Sequence, residues 1–524
     1  MDSNQFAWWF ARAVLAPLGL LASAGCASLP PPVDKPPVRA FSEPQATPLG
    51  RQVAAAAPGP SVSGFRMLLA GEDAFGALAV LVDRAQRSLD LQYYIVRDEE
   101  SSRVLLRRVF AAAERGVRVR VLVDDLNTSG EEDLLLCLER HANIEVRLYN
   151  PFPMGRFSTI SRVVASATDA ARISARMHNK MLVADNALAV TGGRNLGDAY
   201  FVQSKESNFL DLDLLVAGPV VRKLSASFDS FWNNDLAYPI GSLVKREPKC
   251  SGPEPVHAGE AAAAAPVAAA PAPVGTLTQE LLRNELKLVW APATLLADKP
   301  SKITSEGQPS DAETVSDDIE ELLRSARREV IIVSPYFVPG EQGMALAREL
   351  KRRGVKLRVL TNSLAATDAP AVHIGYARYR PELLKLGVEL FELRPQLGTL
   401  RSKVGSFGSS QASLHAKALV IDRSVVLVGS MNMDPRSANL NSEIGLVLRS
   451  APLAQQLVKL YDDVSQRSSY RVVLGSNGGK GRLQWIDDHD PAKGPVTFER
   501  DPQAGVGLRL LLWLLTPIAP EEML

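Results

Sequence analysis

Apolar and polar positions fall into a repeating order from residue 74 onward. Residues 74–88 carry helical spacing, and 89–96 (LDLQYYIV) form an apolar run with strand character. A second helix is predicted near 102–115. It leads into the alternating valines of 116–125, where Gly116 suits a helix C-cap. Helices placed between strands predict βαβ units and a largely parallel sheet. The order then returns. Residues 321–338 again give helix then strand, and 348–360 (RELKRRGVKLRVL) mirror 110–122 (FAAAERGVRVRVL). Gly116 and Gly354 lie 238 positions apart, and His178 and His415 lie 237 apart. Two landmarks at nearly one offset indicate an internal duplication.

The flanks read differently. After Arg12, residues 13–25 are mostly small or apolar. That run is shorter than the ~20 residues a helix needs to cross a bilayer, and it has the length of a signal-peptide core. It ends in Leu21-Ala-Ser-Ala-Gly-Cys26, which resembles a bacterial lipobox and marks Cys26 for lipidation. Residues 1–26 are therefore expected to be a signal segment. Residues 27–64, with nine prolines between 30 and 60, are expected to be a semi-rigid spacer. Residues 65–250 and 278–490 are the two expected domains, joined by an Ala/Pro linker at 251–277. Cys250 and His257 beside that linker are read as incidental. Residues 491–524 form an expected amphipathic tail. Within it 506–515 (VGLRLLLWLL) cannot span a bilayer, but with Arg509 and Trp513 it suits an interfacial helix.

Composition narrows the classes. The chain has 524 residues, 46% apolar, enough for packed cores. With 59 Lys+Arg against 58 Asp+Glu it is not a bulk polybasic nucleic-acid binder. Three cysteines exclude a disulfide scaffold and a Cys-based zinc cluster.

Only six histidines are present, and two occupy equivalent places. His178-Asn-Lys180 runs to Asp185 and then to Gly192-Gly193-Arg-Asn195. His415-Ala-Lys417 runs to Asp422 and then to Gly429-Ser430-Met-Asn432. Both read HxKxxxxD followed by G[GS]xN. Residues two apart on a strand share a face, so each His and Lys project together into a cleft. The glycines are expected to let the backbone turn close to a ligand, with Asn195, Asn432 and Ser430 as phosphate-binding groups. Two imidazoles suit displacement at phosphorus: one neutral ring attacks, and one protonated ring serves the leaving oxygen. Lys180 and Lys417 suit the non-bridging oxygens, so neither a metal nor another cofactor is expected. Asp185 and Asp422 are assigned structural hydrogen-bonding roles. Asp213 and Glu443 lie in apolar stretches, where a His N–H is the expected partner. His141, His373 and His489 are assigned to packing. Tyr93, Tyr94, Pro335, Tyr336, Phe337 and Tyr376 are candidates to line a dry side of the cleft.

These paired runs resemble the phospholipase D superfamily. Flanking words such as LDLQYYIVRDE, TGGRNLGDAYF, SPYFVPG and HIGYARYR are most similar to bacterial cardiolipin synthases of the C type, over about residues 65–490. The resemblance implies two duplicated phospholipase D-like α/β/α sandwich domains with mixed, largely parallel sheets and one active site at their interface. It implies phosphatidyl transfer through a phosphohistidine, with His178 as nucleophile and His415 as acid and then base; the residues themselves leave these roles exchangeable. It implies phospholipid substrates, phosphatidylglycerol and as second candidate phosphatidylethanolamine, at a membrane surface of the bacterial envelope. A monomer with two pseudo-symmetric halves facing the periplasm is expected, with no nucleic-acid partner. Hydrolysis to phosphatidic acid is the competing reaction, and a metal-independent nuclease the weaker alternative.

Overall fold

The computed structural model describes residues 35–152, 170–250, 276–304, 314–396, 411–475, 481–488 and 494–516, with Leu29 and Pro31. Its strands up to the linker are β1 (Ser63–Leu68), β2 (Ser88–Tyr93), β3 (Arg118–Asp124), β4 (Ile144–Tyr149), β5 (Met181–Ala184), β6 (Leu188–Gly192), β7 (Ser207–Leu210), β8 (Asp213–Ala217) and β9 (Ala237–Pro239). Those after it are β10 (Val289–Ala291), β11 (Ala293–Ala297), β12 (Glu329–Val333), β13 (Lys356–Asn362), β14 (Glu389–Leu393), β15 (Gln411–Leu414), β16 (Ala418–Ile421), β17 (Val425–Gly429), β18 (Ile444–Arg449), β19 (Ser469–Leu474), β20 (Leu483–Asp487) and β21 (Val496–Phe498). One sheet has the order β10-β1-β8-β6-β5-β2-β3-β4-β9 and the other β11-β18-β17-β16-β12-β13-β14-β19-β20-β21. From β1 to β9 and from β11 to β19 the two orders correspond strand for strand. The duplication read from two offsets is a duplication of topology.

The principal helices include those predicted near 74–88, 102–115 and 321, and others that the pattern does not mark. They are α1 (Gly71–Arg84), α2 (Glu100–Glu114), α3 (Pro219–Trp232), α4 (Val315–Arg324), α5 (Gly340–Arg352), α6 (Pro370–Lys385), α7 (Ala451–Arg467) and α8 (Val506–Leu515). Gly116 (φ +90°) and Gly354 (φ +72°) end α2 and α5 in the left-handed region that favours glycine. Thr314 and Asp317 form a capping box that starts α4.

The parallel share is smaller than helix–strand alternation predicts. Only β2-β3-β4 and β12-β13-β14 pair in parallel within the two large sheets. Strands β5, β6 and β8, like β16, β17 and β18, run antiparallel; only β5–β6 and β16–β17 are joined by tight turns, while 193–212 and 430–443 make the longer connections. At the first hairpin of each set stand two consecutive residues with positive φ, Asp185 and Asn186 or Asp422 and Arg423.

The halves are not separate bodies. A single apolar cluster draws on both: Leu224, Phe228 and Trp232 of α3, Leu457 and Tyr461 of α7, and Val183 and Val420 of the sheets. Strands β7 and β15 pair across the halves in a two-stranded parallel sheet.

Three expected boundaries move. The Pro-rich spacer ends by residue 35: Lys35 Nζ donates to Asn234 O at 2.7 Å, the Val38 amide to Asn233 Oδ1 at 2.9 Å and the Ala40 amide to Asp229 Oδ2 at 2.8 Å. The helix Pro48–Ala56 then buries Leu49 and Val53 in the first core. Proline count forbids helix interiors but not a packed arm. The first half extends past residue 278, because β10 pairs with β1. The expected tail contributes β21 to the second sheet. Cys250 is not incidental either; it forms a disulfide with Cys137, 113 positions away, with Cα atoms 5.8 Å apart. Cys26, His257 and His489 lie outside the described residues. Among the described residues no helix is long and apolar enough to cross a membrane.

Candidate active site

Each motif histidine is held by the opposite half. The His178 amide donates to Ser442 O at 3.0 Å, and its Nδ1 lies 3.0 Å from Glu443 Oε2 and 3.1 Å from Oε1. The His415 amide donates to Leu210 O at 2.8 Å, and its Nδ1 lies 2.6 Å from Asp211 Oδ2. Neither imidazole has its orienting carboxylate within its own half. A carboxylate at Nδ1 places that ring proton there and leaves the Nε2 lone pair free. His178 and His415 are 7% and 6% exposed, so both rings sit in a nearly closed seam.

The acid that holds His415 is Asp211, not Asp213. Asp213 Oδ2 pairs with Arg194 Nη1 at 3.1 Å, and its Oδ1 accepts from the Arg194 amide. Register explains the error. Asp213 faces Gly192 across β8 and β6, and Gly445 faces Gly429 across β18 and β17. The counterpart of Glu443, two residues before Gly445, is therefore Asp211.

The glycines serve these acids. A Cβ on Gly193 would stand 2.1 Å from Asp211 Oδ1, one on Gly192 2.3 Å from Asp213 Oδ1, and one on Gly429 2.3 Å from Ile444 O. They make room for the acid-bearing strand, not for a ligand. Ser430, in the place of Gly193, donates its hydroxyl to Glu443 Oε2 and so positions that carboxylate. Asn195 is likewise committed within the protein: Oδ1 accepts from the Ile95 amide at 3.1 Å, and Nδ2 donates to Tyr200 OH at 3.0 Å. It holds Tyr200 edge-on to His415, ring centroids 5.3 Å apart. Asn432 alone of the three keeps a free amide end, its Oδ1 being buried without a partner among the described residues. Asp185 accepts the amides of Gln86, Arg87 and Ser88, and Asp422 those of Arg327, Arg328 and Glu329. Both fasten the motif hairpin to the entry of a central strand, the structural role expected of them.

Lys180 and Lys417 each donate one proton to the carbonyl of their own motif histidine, leaving the others for a ligand. Tyr94 borders both Lys180, 5.4 Å from ring centroid to Nζ, and His178, 4.9 Å between centroids. Of the other aromatic candidates, Tyr93 and Tyr376 go elsewhere: Tyr93 is core, and Tyr376 OH bonds Glu392. Phe337 lines a cavity beside the second motif, and Tyr336 OH bonds the exposed Asp368 at 2.9 Å, a carboxylate that acts on His415 and Lys417. His141 and His373 have structural surroundings, as expected: His141 Nδ1 accepts from the Asn143 amide, and His373 meets Arg380 and Asp501. A residue pair missed from sequence, buried Asp124 and Arg176, locks the approach to His178, with Asp124 also accepting the Met177 amide.

Burial dominates the electrostatics. It pushes the His178 imidazole down to about 4, helped by Lys180 and Lys417 and opposed by Glu443. His415 is lowered by burial and Lys417. Lys180 is pushed down to about 7, again by burial first. Burial would raise Glu443 and Asp211, but the facing imidazoles and lysines outweigh it and hold both at about 2. The empty site at neutral pH thus has two neutral imidazoles and two carboxylates. An anion entering it raises the lowered bases, so binding must draw protons in. Titrating the protein at pH 7 with dimethyl phosphate, a diester that does not itself titrate there, is expected to show net proton uptake by calorimetry in buffers of different ionisation enthalpy. Proton release would contradict these assignments.

Among the described residues no cluster of three His, Cys, Asp or Glu is arranged to hold a metal ion. What the site offers is two general bases with free Nε2 atoms, two lysine amines that an entering anion keeps protonated, and an amide.

Comparisons with known proteins agree with this geometry. A family profile described as "Cardiolipin synthase, PLD-like domain" matches residues 78–232 and 319–464, one match per half. The chain is 38% identical to cardiolipin synthase C of Escherichia coli K12 over 467 residues, covering 86% of this chain and 94% of that one. It is 25% identical to a cardiolipin synthase of Geobacillus kaustophilus, covering 75% and 64%. Among solved structures it is similar in fold to a phosphatidylserine synthase of Haemophilus influenzae, with TM-score 0.55 and 13% identity over 88% of this chain and 95% of that one.

Proposed function

Since this chain belongs to the cardiolipin synthase, phospholipase D-like family, we propose that it makes cardiolipin by transferring the phosphatidyl group of one phospholipid to a hydroxyl of phosphatidylglycerol. The observation that carries the mechanism is the crossed pairing of two neutral, Nδ1-anchored imidazoles with opposite-half carboxylates. The anionic phosphodiester raises the lowered bases as it binds, so that His415 takes up a proton on Nε2. His178 Nε2, still neutral, attacks phosphorus as the bond to the headgroup oxygen breaks, and that oxygen takes the Nε2 proton of His415. The acceptor hydroxyl then attacks the phosphatidyl-histidine while the now neutral His415 takes the hydroxyl's proton, and the P–Nε2 bond breaks to release His178. Lys180 and Lys417 neutralise the non-bridging oxygens, and Asn432 serves them through its Nδ2 hydrogens, not through its unpartnered Oδ1.

A membrane-surface setting is supported by α8. Val506, Leu510, Leu511, Trp513 and Leu514 are all exposed, while Leu512 is tied to Leu364 and Ile374. Five exposed large apolar side chains on ten residues suit an interfacial helix. Export to the envelope, with Cys26 lipidated, is supported by the Leu21–Cys26 segment. The Cys137–Cys250 disulfide fits the same reading, since such bonds persist in oxidising compartments.

The test is to quench the reaction in alkali within one turnover and map the adduct by peptide mass spectrometry. A phosphatidyl increment on the His178 peptide is expected; one on His415 would exchange the roles, and none on either would remove the covalent route.

A further inference from the structure

The two halves differ beside their motifs in one consistent way. In the first, the residue before Asn195 is Arg194. Its guanidinium is buried and bonds Asp213, Tyr200 O, Leu68 O and Asp211 O. Helices α1 and α2 lie against each other there, and Phe75 meets Phe201 with ring centroids 5.2 Å apart. That space is full. In the second half the residue before Asn432 is Met431, and the register position of Asp213 is taken by Gly445. Among the described residues no ion pair takes the place of Arg194 and Asp213 there. Instead α4 and α5 form opposite walls of a cavity of about 970 Å³, lined by Ile319, Leu323, Phe337, Leu346, Met431 and Met433 among others. Its polar lining is mostly at the helix ends. The buried carboxyl on the wall, Asp434, is turned to the Ser437 amide at 2.7 Å.

The cavity adjoins the reaction site along the chain itself. Met431 and Met433 flank Asn432, and the Met433 carbonyl accepts from the Val338 amide at 2.7 Å, which fixes the wall to the motif. The volume is at the upper end of the ~300–1,000 Å³ of ligand pockets, and unbranched, polarisable methionines conform to a flexible chain. We propose that this cavity receives one acyl chain of the phospholipid whose phosphate lies between His178 and His415. The inference rests on the lipid reading above and adds where the lipid's apolar part goes. It makes the second half the lipid-gripping half, and the first half, closed by Arg194 and Asp213, a rigid one.

Each methylene buried favours binding by roughly fourfold, so the site should sense chain length until it is full. The test compares phosphatidylglycerols with acyl chains of increasing length in mixed micelles, on the wild type and on Ala347→Trp, which fills the cavity from α5. Wild-type kcat/KM is expected to rise at least tenfold from four-carbon to twelve-carbon chains and then level. In Ala347→Trp the rise should fall below threefold, with cleavage of soluble bis(p-nitrophenyl) phosphate within twofold of wild type. Because a tryptophan can also disturb folding, a second measurement uses the wild type alone. Phosphatidylglycerol carrying a diazirine in its acyl chain is expected to crosslink to peptides from 314–350 and 431–439. Crosslinks confined to other segments, or full chain-length dependence in a soluble-diester-competent Ala347→Trp, would overturn the site. A wild type making cardiolipin at a rate independent of chain length would also overturn it while leaving the transferase reading intact. Crosslinking in this cavity without any phosphatidyl transfer would do the reverse.

Discussion

Alanine at either His178 or His415 is expected to lower kcat/KM by at least a thousandfold, about 4 kcal/mol or more of transition-state stabilisation. The size follows from two losses. The ring is the nucleophile or the proton carrier, and proton transfer alone is worth about 10²–10⁴-fold. The deletion also strands a buried carboxylate: Glu443 is fully buried against His178, and Asp211 is 2% exposed against His415. An uncompensated buried charge costs about 3–5 kcal/mol of stability. Glutamine is therefore the better replacement for kinetics, since its amide can still donate to the carboxylate. The measurement is initial rate on micellar phosphatidylglycerol, with thermal unfolding of each variant alongside. Near-wild-type turnover by either His178→Gln or His415→Gln would remove the two-imidazole mechanism.

The carboxylates give the second large effect, and they separate two assignments that differ by two residues. Asp211→Asn and Glu443→Gln are expected to reduce kcat by about 10²–10⁴-fold, because an amide neither fixes the tautomer nor stabilises an imidazolium. Their KM should change far less. Asp213→Asn is expected to keep kcat within about threefold but to lower the melting temperature, since it breaks the buried pair with Arg194, a loss of about 3–5 kcal/mol. Loss of turnover in Asp213→Asn with retention in Asp211→Asn would refute the crossed pairing.

The two motifs, their equivalence and the α/β duplication were legible because they are written in spacing. His and Lys two apart, a hairpin aspartate and a glycine followed by Gly or Ser recur with one period, and strand geometry converts the His–Lys spacing into a shared face. The acid partner of His415 was not read correctly because Asp211 and Asp213 lie two apart in the same apolar stretch, although β8 begins only at Asp213. Only pairing register distinguishes them, through Gly192 opposite Asp213. Aligning Glu443-Ile-Gly445 with Asp211-Leu-Asp213 would have supplied it. Asn195 and Ser430, read as phosphate-binding groups, are engaged within the protein. Asn195 bonds the Ile95 amide, 100 residues away, and Ser430 bonds Glu443, 13 residues on and brought back by the turn into β18. The Pro-rich arm misled because proline reports what a backbone cannot do, whereas Leu49 and Val53 decide that it packs. The Cys137–Cys250 pair needed the fold to bring two cysteines within 6 Å.

The proposed reaction transfers the phosphatidyl group to a lipid hydroxyl in preference to water. The seam supports it physically: both imidazoles are more than nine-tenths buried, and Tyr94 and Tyr200 close over them. A dry site that holds the acceptor oriented can gain about 7–11 kcal/mol from positioning. The most direct measurement is mass spectrometry of the products formed from isotopically labelled phosphatidylglycerol in bilayer vesicles, with and without phosphatidylethanolamine. Doubly labelled cardiolipin as the main product, with phosphatidic acid minor, is the expected result. Phosphatidic acid dominating even with the lipid acceptor in excess would contradict transfer and make the protein a phospholipase.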